Sequence, residues 1–378
     1  MCPSSPLQPA THTGTLLRGR PLRTLAALAM TSLLVACSSL VPSSTSTPPP
    51  LAEELIFYDW EDDVPPSVLD AFAEEYGVKV TYVTYSSQEE ALENLRAGEI
   101  YDVVVMDNRF IPDLKQEGLL ARIDHSHVPN LRNVSPNFRD LSYDPGNKYS
   151  IPFNWGTTGL VIRSDLVEES VSGWADLWDP RYAGKVGVWA QSSPRELIGL
   201  ALQTLGYSIN SEVPDELEAA LKRLLELKRN ALDLDARGAA SSAEVLLSGE
   251  AVMAVGWAYD VVNAREENQA IQYVLPEEGT MLWGDNFVIL TNSPRKYTAE
   301  VFLNFLLRPE IAAQIFDWNH FATPNEAAYS LIDPKLMNDP VIFPSNEDLK
   351  NSEIILPLSP EGEQLHARIW EQFVAAEP

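Results

Sequence analysis

The stretch LIFYDWEDDVPPSVLDAFAEEYGVKVTYVTYSSQEEALENLRAGEIYDVVV, residues 55–105, decides the fold. Leu55 to Tyr58 is a short apolar run of strand type. After Pro65-Pro66 the apolar residues Leu69, Phe72 and Tyr76 recur three and four apart and stop at Gly77, the spacing of one helix face closed by a glycine. Val78 to Val83 alternates as a strand, and Gln88 to Ala97 reads as a helix ended by Gly98. Val103-Val104-Val105 is a continuous apolar run, as expected for a strand covered on both faces. Strand and helix in alternation predict an α/β lobe built on a parallel sheet. Ligands of such sheets lie beyond the carboxyl ends of the strands. Trp60 with Glu61-Asp62-Asp63 occupies that place after the first strand, and Asp107-Asn108-Arg109 occupies it after the third.

The pattern restarts downstream. YSIPFNWGTTGLVI, residues 149–162, supplies extended apolar segments interrupted by Pro152 and Gly156, and WADLWDPRYAGKVGV adds a helical turn and a strand. Glu196 to Leu205 and Leu217 to Leu227 are helical by period, and Glu250 to Val255 reads as a buried strand ending at Gly256-Trp257. A second α/β lobe therefore spans about 152–285. Phe287 to Leu290 predicts one more strand and Tyr297 to Leu307 an amphipathic helix. Six prolines from Pro324 to Pro360 then punctuate short turns before a last amphipathic helix, Glu361 to Ala375. At 378 residues the chain is long enough for two such bodies, each with its own core.

The first residues follow a different rule. Arg18, Arg20 and Arg23 precede an apolar run from Leu25 to Ala36, which closes on Leu34-Val35-Ala36-Cys37. This is the layout of an export signal and is too short for a membrane span. The ending resembles that of a bacterial lipoprotein signal peptide, in which residues 1–36 are removed and the thiol of Cys37 carries the lipid; a plain secretory signal with an incidental cysteine is the alternative. On the lipoprotein reading the mature chain keeps one cysteine and no disulfide, so its core alone must stabilise it. Residues 37–50 carry no charge and little to bury, and are expected to form a flexible, partly polyproline tether.

Loss of residues 1–36 removes three arginines and no acid, leaving 24 basic against 54 acidic residues and a formal charge of −30. Nucleic acid and anionic lipid surfaces are poor partners for such a body, whereas a cationic ligand is attracted. Solubility alone also explains the acidity. Nucleophilic and nucleotide chemistry find no motif: there is no G-x-S-x-G elbow, P-loop or G-x-G-x-x-G. His125 and His127 flank Ser126 in a polar stretch and read as a surface loop, and His320 and His366 stand alone, so neither a metal nor a cofactor is expected. No pair of acids is singled out for glycoside chemistry.

Three tryptophans point to a site. Trp60, Trp257 and Trp283 each fall near a predicted strand end with an acid within three positions: Glu61, Asp260 and Asp285. An ammonium group over an indole face gains about 2 kcal/mol when desolvated, and an adjacent carboxylate fixes its position through charge-assisted hydrogen bonds. Core packing is the alternative for any one of them; three together suggest a cation cage.

Taken in order, FYDWEDDVPPSVLDAF, YDVVV, YSIPFNWGTTG, WADLWDPRYAGKVG, LWGDN, NFLLRPEIA and ATPNEAA make the chain resemble the spermidine/putrescine-binding proteins of polyamine ABC transporters, from Leu55 to about Phe373. The resemblance implies a two-lobed periplasmic-binding-protein-like fold of type II, with the ligand cleft between lobes joined by crossing strands. It implies lobes of 51–151 with 286–330 and of 152–285 with 331–378. It further implies hinge closure on a polyamine, delivery to permease subunits in the membrane, no chemical reaction, and a monomer held at the outer face of the cell membrane or in the periplasm by lipid on Cys37. Trp60, Trp257 and Trp283 match the family's aromatic walls, Asp285 its main amine-binding carboxylate, Glu196 a second acid, and Asp62 the acid that follows the first tryptophan. Glu61 and Asp63 read as solvated neighbours.

Some positions depart from the family. Phe321 keeps a ring where tyrosine is frequent, Ser193 stands where a second aspartate is often found, and Ile355 replaces a glutamine. Asp107-Asn108-Arg109 replaces a Ser-Thr-Tyr-like segment. The Arg109 guanidinium repels a polyamine unless Asp107 or Asp62 neutralises it, or it receives a ligand carboxylate. The polyamine reading therefore stands beside three others: another cationic or zwitterionic solute, a sensor subunit, and an exported hydrolase.

Overall fold

The computed structural model describes residues 48–190 and 193–376. The leader read in residues 1–36, Cys37 and the expected tether up to residue 47 lie outside the described residues. The chain first builds β1 (Glu54–Trp60), α1 (Pro66–Tyr76), β2 (Lys79–Tyr85), α2 (Gln88–Ala97), β3 (Val103–Asp107) and α3 (Ile111–Gln116). Pro66 opens α1, where its missing N–H costs nothing, and Gly77 closes it at φ 69°. The Ser87 side chain accepts from Glu90 N to cap α2, which ends at Gly98 with φ 86°. β1 pairs in parallel with β2 on one side and β3 on the other.

The second half adds β4 (Ser150–Arg163), β5 (Val186–Val188), α4 (Pro194–Gln203), α5 (Pro214–Leu227), β6 (Ala231–Asp233), α6 (Leu234–Arg237), α7 (Ser242–Leu247), β7 (Met253–Trp257), α8 (Ala258–Glu267) and β8 (Ile271–Val274). It is followed by β9 (Met281–Ile289), α9 (Lys296–Leu306), α10 (Pro309–Asn319), α11 (Pro334–Met337), β10 (Glu353–Ile354) and α12 (Pro360–Ala375). The described strands form one sheet in the order β2-β1-β3-β9-β4-β7-β5-β6, with β10 beside β9 and β8 beside β4.

Two cores flank the centre of this sheet. Phe57, Phe72, Phe287, Phe302 and Phe305 fill one, with Phe302 in edge contact with Phe57 at 5.4 Å and Phe72 at 4.8 Å. Trp174, Leu197, Leu224, Met281 and Phe373 are among those that fill the other. Each fully buried ring of this size contributes about 1.5–3 kcal/mol. β4 and β9 belong to both. On β4, Ile151 and Phe153 face the first core and Leu160 and Ile162 the second; on β9, Met281 faces the second, Phe287 and Ile289 the first. The two strands run antiparallel from Ser150↔Val288 to Thr158↔Met281 with a register shift between Pro152 and Asn154. Their middle residues thus lie between the cores.

Two local expectations change. Residues 150–163 form one continuous strand rather than broken segments. Pro152 is absorbed by the register shift, and Gly156 is needed because the Trp283 ring lies over it: a Cβ there would stand 2.3 Å from the indole. The strand expected from Phe287 begins at Met281. Gly284-Asp285-Asn286 interrupts its apolar residues, and pairing with β4 holds it extended across that interruption.

Candidate functional site

Trp60 and Trp257 are the last residues of β1 and β7, while Trp283 is the third residue of β9, inside the crossing rather than at a strand end. Glu196 lies in the first turn of α4, and its Oε1 accepts from Trp257 Nε1 and Thr158 Oγ1, both at 3.1 Å. The Trp257 ring is nearly parallel to that of Tyr259, 6.2 Å away. Tyr259 meets Phe321 edge-on at 4.6 Å, and Phe321 meets Trp283 edge-on at 5.6 Å. An aromatic wall therefore runs from the end of β7 to the middle of β9.

Two residues beyond Trp283, Asp285 pairs directly with Asp107 across the β3–β9 ladder. Asp107 Oδ1 accepts from Arg109 N at 2.8 Å, and Arg109 Nε stands 3.7 Å from Asp107 Oδ2. Asp107 is thus the acid that answers Arg109. Burial pushes the Asp285 carboxyl well above the usual range, Asp107 and Asp63 push it further, and only Arg109 opposes them. Among the described residues no hydrogen-bond donor reaches the Asp285 carboxylate. A carboxylate left in this condition favours a cation.

The acidic loop after β1 resolves differently from its sequence reading. Asp62 takes the left-handed conformation, φ 59°, and is exposed; its carbonyl, not its carboxylate, is used, accepting from Trp318 Nε1 at 2.6 Å. Glu61 is exposed as well. Asp63, expected to be solvated, is 2% exposed, its Oδ1 accepting from Asn319 Nδ2 at 2.9 Å and its Oδ2 from Asn154 Nδ2 at 3.4 Å. Burial pushes its carboxyl up to about 7 against the lowering effect of those two amides. Asp59, inside β1, is fully buried and raised well above the usual range by that burial, then by Asp63 and Asp285. Trp60 packs on Tyr85 at 4.7 Å, and Tyr85 in turn feels the charges of Asp59, Asp285 and Asp63.

The structure thus brings Glu196, Trp257, Phe321, Trp283, Asp285, Asp107 and Arg109 into one chain of contacts, with Trp60 joining through Tyr85. Asp62 stands outside it. Asp59, Asp63 and Tyr259 were missed by sequence; the one signal was an aspartate in the apolar run of β1. Asp260, the acid nearest Trp257 in sequence, is structural: it is bonded to Ser242 Oγ and, at 3.4 Å, to Trp257 N.

Histidines are occupied elsewhere. His125 Nε2 meets Asn147 O at 2.6 Å, His127 Nδ1 meets Glu300 at 2.7 Å, and His366 Nε2 meets Ser211 O at 2.9 Å. His320 caps α10 with φ 57°, and the charges that act on it are those of Asp317, Glu266 and Arg265, not the cleft acids. Among the described residues no three His, Cys, Asp or Glu side chains are grouped to hold a metal ion.

Residues 67–344 match the profile of the bacterial extracellular solute-binding proteins. The chain belongs to that family. This solute-binding protein is 36% identical over 302 residues to the spermidine/putrescine-binding periplasmic protein of Escherichia coli strain K12, covering 79% of this chain and 85% of that one. It is 29% identical over 333 residues to the putrescine/agmatine-binding protein of a Pseudomonas aeruginosa strain, 83% and 90% of the two chains. The crystal structure of the spermidine/putrescine ABC transporter substrate-binding protein of Streptococcus pneumoniae superposes with a TM-score of 0.76 at 31% identity, over 85% of this chain and 98% of that one. The TpPotD lipoprotein of Treponema pallidum does so with a TM-score of 0.75 at 26% identity, over 85% and 99%. The two-lobed α/β fold of solute-binding proteins is therefore that of this chain, and β4 and β9 are its crossing strands. The role of the family is to bind solutes for transport. No described helix of this solute-binding protein is long and apolar enough to cross a membrane.

Proposed function

We propose that this chain captures a polyamine, putrescine or spermidine, outside the cytoplasmic membrane and delivers it to the permease of an ABC importer. The observation that carries the reading is Asp285: a raised carboxylate on a crossing strand that no hydrogen-bond donor reaches among the described residues, two positions from Trp283 and within electrostatic reach of Asp63 and Asp59. An ammonium group there neutralises like charges that burial otherwise forces together, and the indoles exclude competing water. The names of the relatives agree with this ligand class.

The same reading has finer parts. The ligand touches residues from both lobes, Trp60 from one side and Glu196, Trp257 and Asp285 from the other, so its binding favours the closed state. The lobes divide into residues 51–151 with 286–330 and 152–285 with 331–378. The protein performs no reaction, acts as a monomer, and is held at the membrane by lipid on Cys37; a structural relative that is a lipoprotein by name supports the last point.

Thermal melting with putrescine, spermidine, spermine and uncharged 1,4-butanediol tests the function. Ligand at 100 times its Kd stabilises the folded state by about 2.7 kcal/mol. A raised melting temperature with at least one amine and none with the diol is expected. No shift with any amine overturns the reading.

A further inference from the structure

The end of α10 holds two parts of the site at once. Trp318 Nε1 donates to Asp62 O at 2.6 Å, and the next residue, Asn319, donates from Nδ2 to both Asp63 O and Asp63 Oδ1, each at 2.9 Å. Asn319 Oδ1 accepts from Phe321 N at 3.0 Å. One amide therefore bonds the buried acid of the loop after β1 and, through its other end, the backbone of the ring that meets Tyr259 and Trp283.

Both segments need holding. Asp62 and His320, the residues before Asp63 and Phe321, are left-handed at φ 59° and 57°, a region costly for residues other than glycine. Asp63 also lacks a cation: among the described residues no lysine, arginine or histidine pairs with it. The titratable groups that face it are acids and phenols, since Asp59 on β1, Asp285 on β9, Tyr82 and Tyr85 on β2 and Tyr259 at the start of α8 all feel its charge. Two neutral amides are left to stabilise the carboxylate. Asn154 reaches Oδ2 at 3.4 Å, a long bond, and Asn319 at 2.9 Å has the larger effect in holding the carboxyl down.

We propose that Asn319 is a positioning residue for solute binding: through the two ends of its amide it fixes Asp63 and Phe321 relative to each other, so that the acid and the ring serve the same ammonium group. This rests on the reading of the cleft as a polyamine site and adds to it a residue that acts through its two partners. Without the Nδ2 donor, Asp63 keeps Asn154 alone, its carboxyl rises further, and the charge that an ammonium group requires is lost at a higher pH. Without the Oδ1 acceptor, the turn that presents Phe321 loses its bond to α10.

Calorimetric titration of putrescine into the full chain between pH 6 and 9 tests the assignment. In wild type the Kd should rise on acidification through about 7. Asn319→Ala should weaken binding by about tenfold at pH 8 and move that rise to higher pH. Asn319→Asp keeps the shape and the acceptor for Phe321 N but sets a second carboxylate against Asp63, and should move the rise further still. In an Asp63→Asn background neither substitution should move the profile. A side chain that only stabilised the fold would lower the melting temperature and leave the midpoint in place. An unmoved midpoint in both variants, or the same displacement with and without Asp63, overturns the inference and leaves the polyamine reading standing; if Asn319→Ala fails to fold, Asn319→Asp decides. No binding of putrescine, spermidine or spermine to wild type overturns the polyamine reading and this inference with it.

Discussion

Asp107 and Asp285 face each other directly across the ladder between β3 and β9, one carboxylate paired with an arginine and the other reached by no hydrogen-bond donor among the described residues. β9, like β4, contributes residues to both cores, and Asp285 lies on it between them. Much of the chemistry of the site follows from that asymmetry.

Solute affinity should depend on pH near neutrality. Asp63 titrates at about 7, and Asp59 and Asp285 are raised in the same direction. An ammonium ligand binds the deprotonated acids, so its affinity falls as pH drops from 8 to 6, read as a rising Kd. For the empty protein the direction is opposite. A carboxyl whose folded pKa is raised contributes stability fully below its unfolded value near 3.8 and loses it as pH rises through about 7. Asp63→Asn should therefore melt increasingly above wild type as pH rises from 5.5 to 8.

Gly156→Ala tests the seat of Trp283. Its Cβ would lie 2.3 Å from the indole, and β4 cannot yield without losing its pairing with β9. Overpacking of this kind costs about 1–3 kcal/mol. A lower melting temperature, a changed tryptophan emission spectrum and weaker amine binding are expected together.

Trp257→Phe keeps a ring but removes the donor to Glu196. Glu196 then retains Thr158 alone and loses its fixed position. Amine affinity should fall by about tenfold, the magnitude of one hydrogen bond to a charged group, with little change in the melting temperature of the empty protein because Trp257 is only partly buried.

Local periodicity carried much of the architecture. The helix over Gln88 to Ala97 matches its expected bounds because a serine cap, an amphipathic face and a glycine stop all agree. β9 was misjudged because its first half owes its extension to β4, a partner far away in sequence. The aromatic and acidic residues of the site were visible as types, but not their directions. Asp62 and Asp63 are chemically alike; a left-handed φ at Asp62 turns its side chain to solvent and carries Asp63 inward, where Asn154 and Asn319 receive it. Asp59 was hidden for the opposite reason, since it sits among the strand residues that define β1.

The central claim is that Asp285 anchors an ammonium group. Its most direct test is calorimetric titration of putrescine into wild type and Asp285→Asn at pH 8. Saturable one-to-one binding in wild type, weakened by about tenfold to a hundredfold in the variant, is the predicted result. Equal affinity in the two proteins, or no saturable heat in wild type with putrescine, spermidine or spermine, would contradict it.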